Sequence, residues 1–264
     1  MKFDLVMWTF NGERTLPVVL DRINHVVPKA AVNQKLVVDD GSRDNSVDIA
    51  QSLGWKVLAN RGRGISDGAN TALSHVETEW FASFEQDVFL APDWFSQVSK
   101  MLGCGVGAAS GLRFLPESSF CFNVDGYFAS HNCGDFGKTL DNTFWNTGIL
   151  KSVGGFPKMK NAFAETVLHY RFNELGFKWL VNYDVKSLHL HGGLCDELKH
   201  YYFYGANLPE LQQKTPLKVN VAGKFVRSPF SALRMVASTR DPRLVLSYPL
   251  CRLAMLGGYL HGCA

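Results

Sequence analysis

Apolar residues along the first half of the chain come in short runs, separated by polar turns that carry glycine. Phe3 to Thr9 is a compact apolar run of strand length. Leu16 to Val27 follows with apolar positions at helical spacing, and Pro17 suits a first turn. Lys35 to Val38 predicts a second strand that ends on Asp39-Asp40-Gly41-Ser42. Asp44 or Asn45 can cap the helix after it, which carries Val47, Ile49, Ala50 and Leu53. Trp55 to Ala59 predicts a third strand, Ser66 to Val76 a helix, and Trp80 to Phe84 a fourth strand. Strands alternating with helices of about ten to fifteen residues predict βαβ units and a mostly parallel sheet.

The second half is less regular. Gly105 to Leu112 predicts a strand, the stretch from about Pro116 to Asn142 is loop-rich, and Phe144 to Leu150 is strand-like. Asn161 to Leu175 has helical spacing, and Phe177 to Leu190 predicts two short strands. From Asp196 onward the pattern is helical, with interruptions expected at Pro209, Pro216, Pro229, Pro242 and Pro249. The fold class expected is α/β with a helical C-terminal extension.

Composition narrows this picture. A hydrophobic fraction of 46% against 19% charged residues excludes disorder as the main state. A net charge of +3 gives no basis for a nucleic-acid partner, which calls for a basic stripe or cluster. None of the six cysteines forms a CxxC pair, so zinc-ribbon and thioredoxin-like readings have no support. Met1-Lys2-Phe3-Asp4 leads into an apolar run too short for a secretory segment. The expectation is reduced thiols in a cytoplasmic protein.

Candidate chemistry collects where the predicted strands end. In open α/β sheets, ligands bind beyond the carboxyl ends of the strands. Asn11-Gly12-Glu13, Asp39-Asp40-Gly41-Ser42, Asn60 through Gly64, and Glu85-Gln86-Asp87 follow four successive strands. Any one of these is explained by a plain turn, but four in series predict a site.

These residues, in this order, resemble a family 2 glycosyltransferase of the inverting type and GT-A fold, from about residue 3 to residue 193. The likeness rests on Phe10-Asn11-Gly12-Glu13, Val38-Asp39-Asp40-Gly41-Ser42 with Asp44, and Arg63-Gly64 with Asn70. It continues through Glu85-Gln86-Asp87, Pro92-Asp93-Trp94, Asn146-Thr147-Gly148, Gly154-Gly155-Phe156 and the passage from Arg171 to Phe177. The implied organisation is a catalytic domain over 1–215, with a nucleotide-binding half at about 1–112 and an acceptor half at about 113–215. A basic amphipathic extension covers 216–264.

The resemblance implies that Phe10, Asn11, Glu13, Asp40, Arg63, Asn70 and Gln86 bind the donor nucleotide. Glu85-Gln86-Asp87 stands where the family carries its DxD metal motif, which implies Mn²⁺ or Mg²⁺ held by Asp87 and Glu85. Oxygen ligands suit these hard cations, and alternate residues of a strand face one side. Glu85 departs from the usual Asp. His191 is a further candidate metal ligand, and His189 and Asn146 are candidates for acceptor or sugar contact. Trp145 is a candidate to stack on a sugar ring, with core packing as the equal alternative. Glu165 is the candidate general base, at a position where relatives carry an acidic pair and this chain has Ala164-Glu165.

The implied donor is a UDP-linked sugar, with GDP-mannose open, and the implied acceptor is a saccharide or lipid-linked hydroxyl. Two other readings stand beside this one: a silent nucleotide-sugar-binding relative, and a sugar-phosphate nucleotidyltransferase. The latter usually has a glycine-rich, basic loop after its first strand, which Phe10-Asn11-Gly12-Glu13-Arg14 does not match. The tail carries Lys224, Arg227, Arg234, Arg240, Arg243 and Arg252 against the lone acid Asp241. Its apolar stripe of Leu246, Leu250, Leu253 and Leu260 can lie on the inner face of a membrane, or serve helices docked on the catalytic domain.

Overall fold

The computed structural model of the protein describes all residues except 118, 120, 121, 132–136, 161, 191, 192 and 264. The first stretch runs β1 (Phe3–Thr9), α1 (Leu16–Val26), β2 (Val32–Asp39), α2 (Ser46–Ser52), β3 (Lys56–Ala59), α3 (Gly64–Leu73) and β4 (Trp80–Glu85). All seven residues of β1 are buried, as a central parallel strand covered on both faces requires. β5 (Val88–Phe89), α4 (Trp94–Val98) and β6 (Val106–Phe114) come next, then α5 (Phe122–Ser130). β7 (Thr143–Asn146), α6 (Thr147–Ser152), α7 (Ala164–Glu174) and β8 (Lys178–His189) complete the sheet region. Four helices close the chain: α8 (Leu194–Lys214), α9 (Val221–Val226), α10 (Ser228–Thr239) and α11 (Leu244–Cys263).

The strands form one sheet of order β3-β2-β1-β4-β7-β6-β8-β5. β1 pairs in parallel with β2 and β4, and β2 in parallel with β3. β7 runs antiparallel to β4 and β6, and β5 antiparallel to β8, so the sheet is mixed where a mostly parallel one was expected. The chain builds β2 and β3 on one side of β1 and then crosses to place β4 on the other. That makes the carboxyl ends of β1 and β4 a switch point, the natural crevice of an open sheet.

The chain divides into two compact units, Met1–Arg113 with Gly137–Leu190, and Phe114–Phe136 with His191–Ala264. The first unit holds the large core, where Phe3, Phe84, Trp94 and Phe144 pack ring against ring. In the second, Val124 of α5 packs with Ala232, Met235, Leu244, Tyr248 and Cys251. Gly205 and Gly258 let α8 and α11 meet backbone to backbone: a Cβ on Gly258 would collide with the Tyr202 carbonyl, and one on Gly205 with that of Met255.

Several elements differ from the sequence expectation. β7 stops at Asn146, whose side chain accepts from Ile149 N at 2.9 Å and caps α6 in place of a longer strand. Phe177 to Leu190 holds one strand of 12 residues instead of two. α5 forms inside the stretch expected to be loop, because Val124 has a core to enter. α8 and α11 run through Pro209 and Pro249 without a break. Each proline removes one backbone donor, and tertiary packing of long helices outweighs that loss. Cys104, Cys195, Cys251 and Cys263 are free thiols, and Cys121 lies outside the described residues, as does Cys133.

Candidate active site

The register of the parallel strands delivers the polar loops to one rim. Ala59 lies beside Asp39, Asp39 beside Thr9, and Trp8 beside Glu85. Between them opens a cleft of about 370 Å³, lined by Trp8, Thr9, Phe10, Val38, Asp40, Asn60, Gly64, Ile65, Glu85, Gln86 and Asp87. Phe10 is half exposed on its wall.

Side chains lock the rim loops to one another. Gln86 Oε1 accepts from Thr9 Oγ1 at 2.6 Å and from Phe10 N at 3.0 Å, while its amide donates to Phe10 O at 3.3 Å. Gly12 leaves room for this arrangement, since a Cβ would lie 2.7 Å from Gln86 Oε1 and 2.8 Å from Thr9 Oγ1 and would displace them. Asn11 Oδ1 accepts from Arg43 N at 2.9 Å, and Glu13 Oε2 accepts from Asn45 N at 3.2 Å. Asn11 and Glu13 thus hold the loop after β1 against the loop after β2. Asp40 Oδ1 accepts from Asn60 Nδ2 at 2.7 Å and Oδ2 from Gly64 N at 2.9 Å, which fixes its carboxylate in the cleft. Each oxygen keeps a further acceptor position. Arg63 is exposed beside Gly64, with its backbone N–H on Asp67.

The acidic end of β4 is set by charge. Arg113 of β6 reaches both Asp141, at 2.8 Å, and Glu85, at 3.2 Å. Burial and the charge of Asp141 push the Glu85 carboxyl well above its ordinary value, and Arg113 offsets this only in part. Burial acts in the same direction on Asp87. There the hydrogen bond and charge of His189 and the charge of Arg113 outweigh it, so the Asp87 carboxyl sits below its ordinary value. His189 Nε2 lies 3.3 Å from Asp87 Oδ2.

Glu165 occupies the first turn of α7. Its charge contributes to raising the Glu85 carboxyl, which puts it within electrostatic reach of the cleft. The segment before α7 is tied to α3. Asn70 donates to Phe156 O at 2.8 Å and accepts from Phe156 N at 3.0 Å, and Ser66 Oγ accepts from Met159 N at 3.3 Å.

Some expected site residues are placed otherwise. Trp145 is fully buried, its ring N–H on Ser83 Oγ at 2.7 Å and its ring in T-shaped contact with Phe156 and Trp179, so it packs in the core. Asn146 pairs with Trp80 at the start of β4, whereas Glu85 ends that strand. At about 3.3 Å per residue the two lie roughly 16 Å apart on opposite rims, which removes Asn146 from the cleft. Asn70 commits its amide to the Phe156 backbone, and buried His189 turns to Asp87 rather than outward. His191 lies outside the described residues. Arg113 and Asp141 were not anticipated, although an arginine inside the apolar run of β6 signals a buried acidic partner.

The model of the family described as glycosyl transferase family 2 matches residues 4–143. No curated protein matches the chain. Among solved structures, mannosyltransferase PcManGT from Pyrobaculum calidifontis in complex with GDP-Man and Mn²⁺ superposes with a TM-score of 0.71 at 14% identity, over 99% of this chain and 87% of its own. Glucosyl-3-phosphoglycerate synthase from Mycobacterium tuberculosis, in complex with Mn²⁺, UDP and glucosyl-3-phosphoglycerate, gives 0.62 at 16% identity, over 83% of this chain and 81% of its own. The same enzyme in complex with Mg²⁺ and UDP gives 0.62 at 17% identity, with the same coverage. At such identities the likeness carries the fold, GT-A. The family match spans more than half of the chain, and by it the protein belongs to glycosyl transferase family 2, enzymes that transfer sugars from nucleotide-sugar donors.

Proposed function

We propose that the protein transfers a sugar from a nucleoside-diphosphate donor, UDP-linked in the first instance, to an acceptor hydroxyl with inversion at the anomeric carbon. The observation that carries this is the cleft at the β1–β4 switch point, with Asp40 fixed on one side and the Asp87 carboxylate on the other. Phe10 offers an apolar face to the base, and Asp40 accepts hydrogen bonds from the nucleoside. Asn11, Glu13 and Gln86 serve the donor indirectly, by holding the loops in register.

The donor set suits Mn²⁺ or Mg²⁺. Among the described residues no group of three His, Cys, Asp or Glu side chains gathers to cage a cation. A hard cation completed by substrate phosphates needs only one or two carboxylates. Asp87 fits, being kept ionised and partly exposed at the cleft, with His189 fixing its orientation. When bound, the cation neutralises charge on the departing diphosphate. Glu85, shared with Arg113, would assist Asp87 in holding the cation.

Glu165 takes the proton of the acceptor hydroxyl as that oxygen attacks the anomeric carbon. The new carbon–oxygen bond forms on the face opposite the breaking bond to the diphosphate, which leaves with its electron pair. The acceptor is a saccharide or lipid-linked hydroxyl.

A thermal-shift screen of UDP-, GDP- and dTDP-sugars, with and without Mn²⁺, tests the reading on the wild type and on Asp87→Ala. A ligand that binds only the folded state raises the melting temperature by mass action. A metal-dependent shift with one nucleotide, absent in Asp87→Ala, is expected and names the donor. No shift with any of them sinks the metal-dependent transfer.

A further inference from the structure

α10 and α11 each turn one stripe inward and leave the opposite stripe in solvent. In α10 the inward residues are Ser228, Ala232 and Met235, and the outward ones are Phe230, Leu233 and Arg234. In α11 Leu244, Tyr248 and Cys251 face the core, while Leu246, Leu253 and Leu260 recur every two turns at 65%, 49% and 62% exposure. A lone exposed leucine is ordinary. A helical row of them, with Phe230 at 70% and Val226 at 69% exposed on the helices before it, is not.

Within α9, α10 and α11 themselves the charge has one sign. Asp241 is the sole acid beyond residue 215, and it is neutralised internally. Arg243 grips it at 2.8 Å, which holds its carboxyl down at about 2. Arg252 is folded inward, 2.8 Å from the Tyr248 hydroxyl and over the Tyr201 ring. Arg227, Arg234 and Arg240 are exposed and form no ion pair among the described residues. Leucine and phenylalanine rows bordered by unneutralised arginines match the chemistry of an anionic lipid surface: acyl chains for the one, headgroup phosphates for the other.

We infer that the outward face of α10 and α11 docks on an anionic membrane surface, with the helices lying in its plane. No helix among the described residues is long and apolar enough to cross a bilayer. A second copy of the chain fits this face poorly, since a two-fold contact would bring like-charged arginines together with no acid of α10 or α11 to answer them. The inference concerns a partner surface and stands independently of the donor chemistry above.

Flotation of the full chain with phosphatidylcholine vesicles, alone or with one part in roughly three phosphatidylglycerol, tests it. The expected result is flotation with the anionic vesicles, at least about tenfold weaker with the neutral ones, and weakened by salt. Leu246→Glu with Leu253→Glu abolishes flotation. The triple change of Arg227, Arg234 and Arg240 to Gln weakens it by roughly a hundredfold, at about a tenfold or less per cation near the surface. All five side chains lie outside the core, so both variants keep the melting temperature and the donor-induced shift of the wild type. A chain that stays with the soluble fraction in every mixture overturns the inference, as does flotation indifferent to both variants. A dimer by light scattering that Leu246→Glu dissociates would also overturn it, by assigning the face to a second copy.

Discussion

Arg113 faces two carboxylates, Asp141 at 2.8 Å and Glu85 at 3.2 Å, and a single cation cannot fully offset both. Asp141 is only 1% exposed and holds the closer contact, while burial and the charge of Asp141 raise the Glu85 carboxyl. Between the ordinary value of 4.5 and that raised value, the folded protein holds a proton that the unfolded chain has released. The stability contributed by this group therefore falls as pH rises through that window. Glu85→Gln imitates the protonated side chain. It should gain stability relative to the wild type as pH rises above the ordinary value of 4.5, read by urea unfolding; parallel curves would refute this. Arg113→Met strands a buried charge on Asp141, and we expect a loss of about 3–5 kcal/mol. Adding Asp141→Asn should restore most of it, because the two residues act as a pair. The placing of Asp40 and Asp87 at the rim was legible in the sequence because each closely follows a strand inside a recognisable run. The pairing of Arg113 with Asp141 was not, since it joins residues 28 positions apart across the sheet.

Elements were legible where one period of hydrophobicity held without competition. β1, β2, β3 and β4 and the helices between them fall close to their expected places, because parallel strands buried on both faces leave apolar runs between polar turns. The second half was less so, for physical reasons. Antiparallel β7 is only four residues long and ends on a helix cap. Prolines were expected to interrupt α8 and α11, but the contact between these two helices extends through Gly205, Gly258 and Gly262, where the backbones approach too closely for any side chain. That closeness makes its own prediction. Gly258→Val must push α11 away from the Tyr202 carbonyl, or strain both helices, and should destabilise the second unit by about 3 kcal/mol or more. Differential scanning calorimetry with far-UV circular dichroism reads the loss; an unchanged transition would mean the helices are less tightly joined than this.

Seen across the whole molecule, the sheet has a second hollow, of about 650 Å³ beside Leu5, Val32 and Lys35, but the two rims of the sheet differ in how their carboxylates are satisfied. At the amino end of β1, buried Asp4 accepts from Asn33, Gln34, Glu77 and Thr78, so its acceptor capacity is met inside the protein. At the carboxyl end, Asp40 and Asp87 are held by a few internal partners each and open onto the cleft. Hydrogen exchange separates the two rims. A donor sugar with Mn²⁺ at about one hundred times its dissociation constant adds about 2.7 kcal/mol to global stability. Amides that exchange through global unfolding will therefore slow everywhere, by about a hundredfold, and locate nothing. Amides that exchange through local opening report position, because only those near the ligand lose their openings. Protection of that local kind is expected at residues 10–13, 40–43, 60–65 and 86–88. None is expected around Thr78 and Asn146, and the whole pattern should vanish in Asp87→Ala. Local protection around Asn146 instead would move the donor to the opposite rim, and with it every assignment that rests on the switch point between β1 and β4.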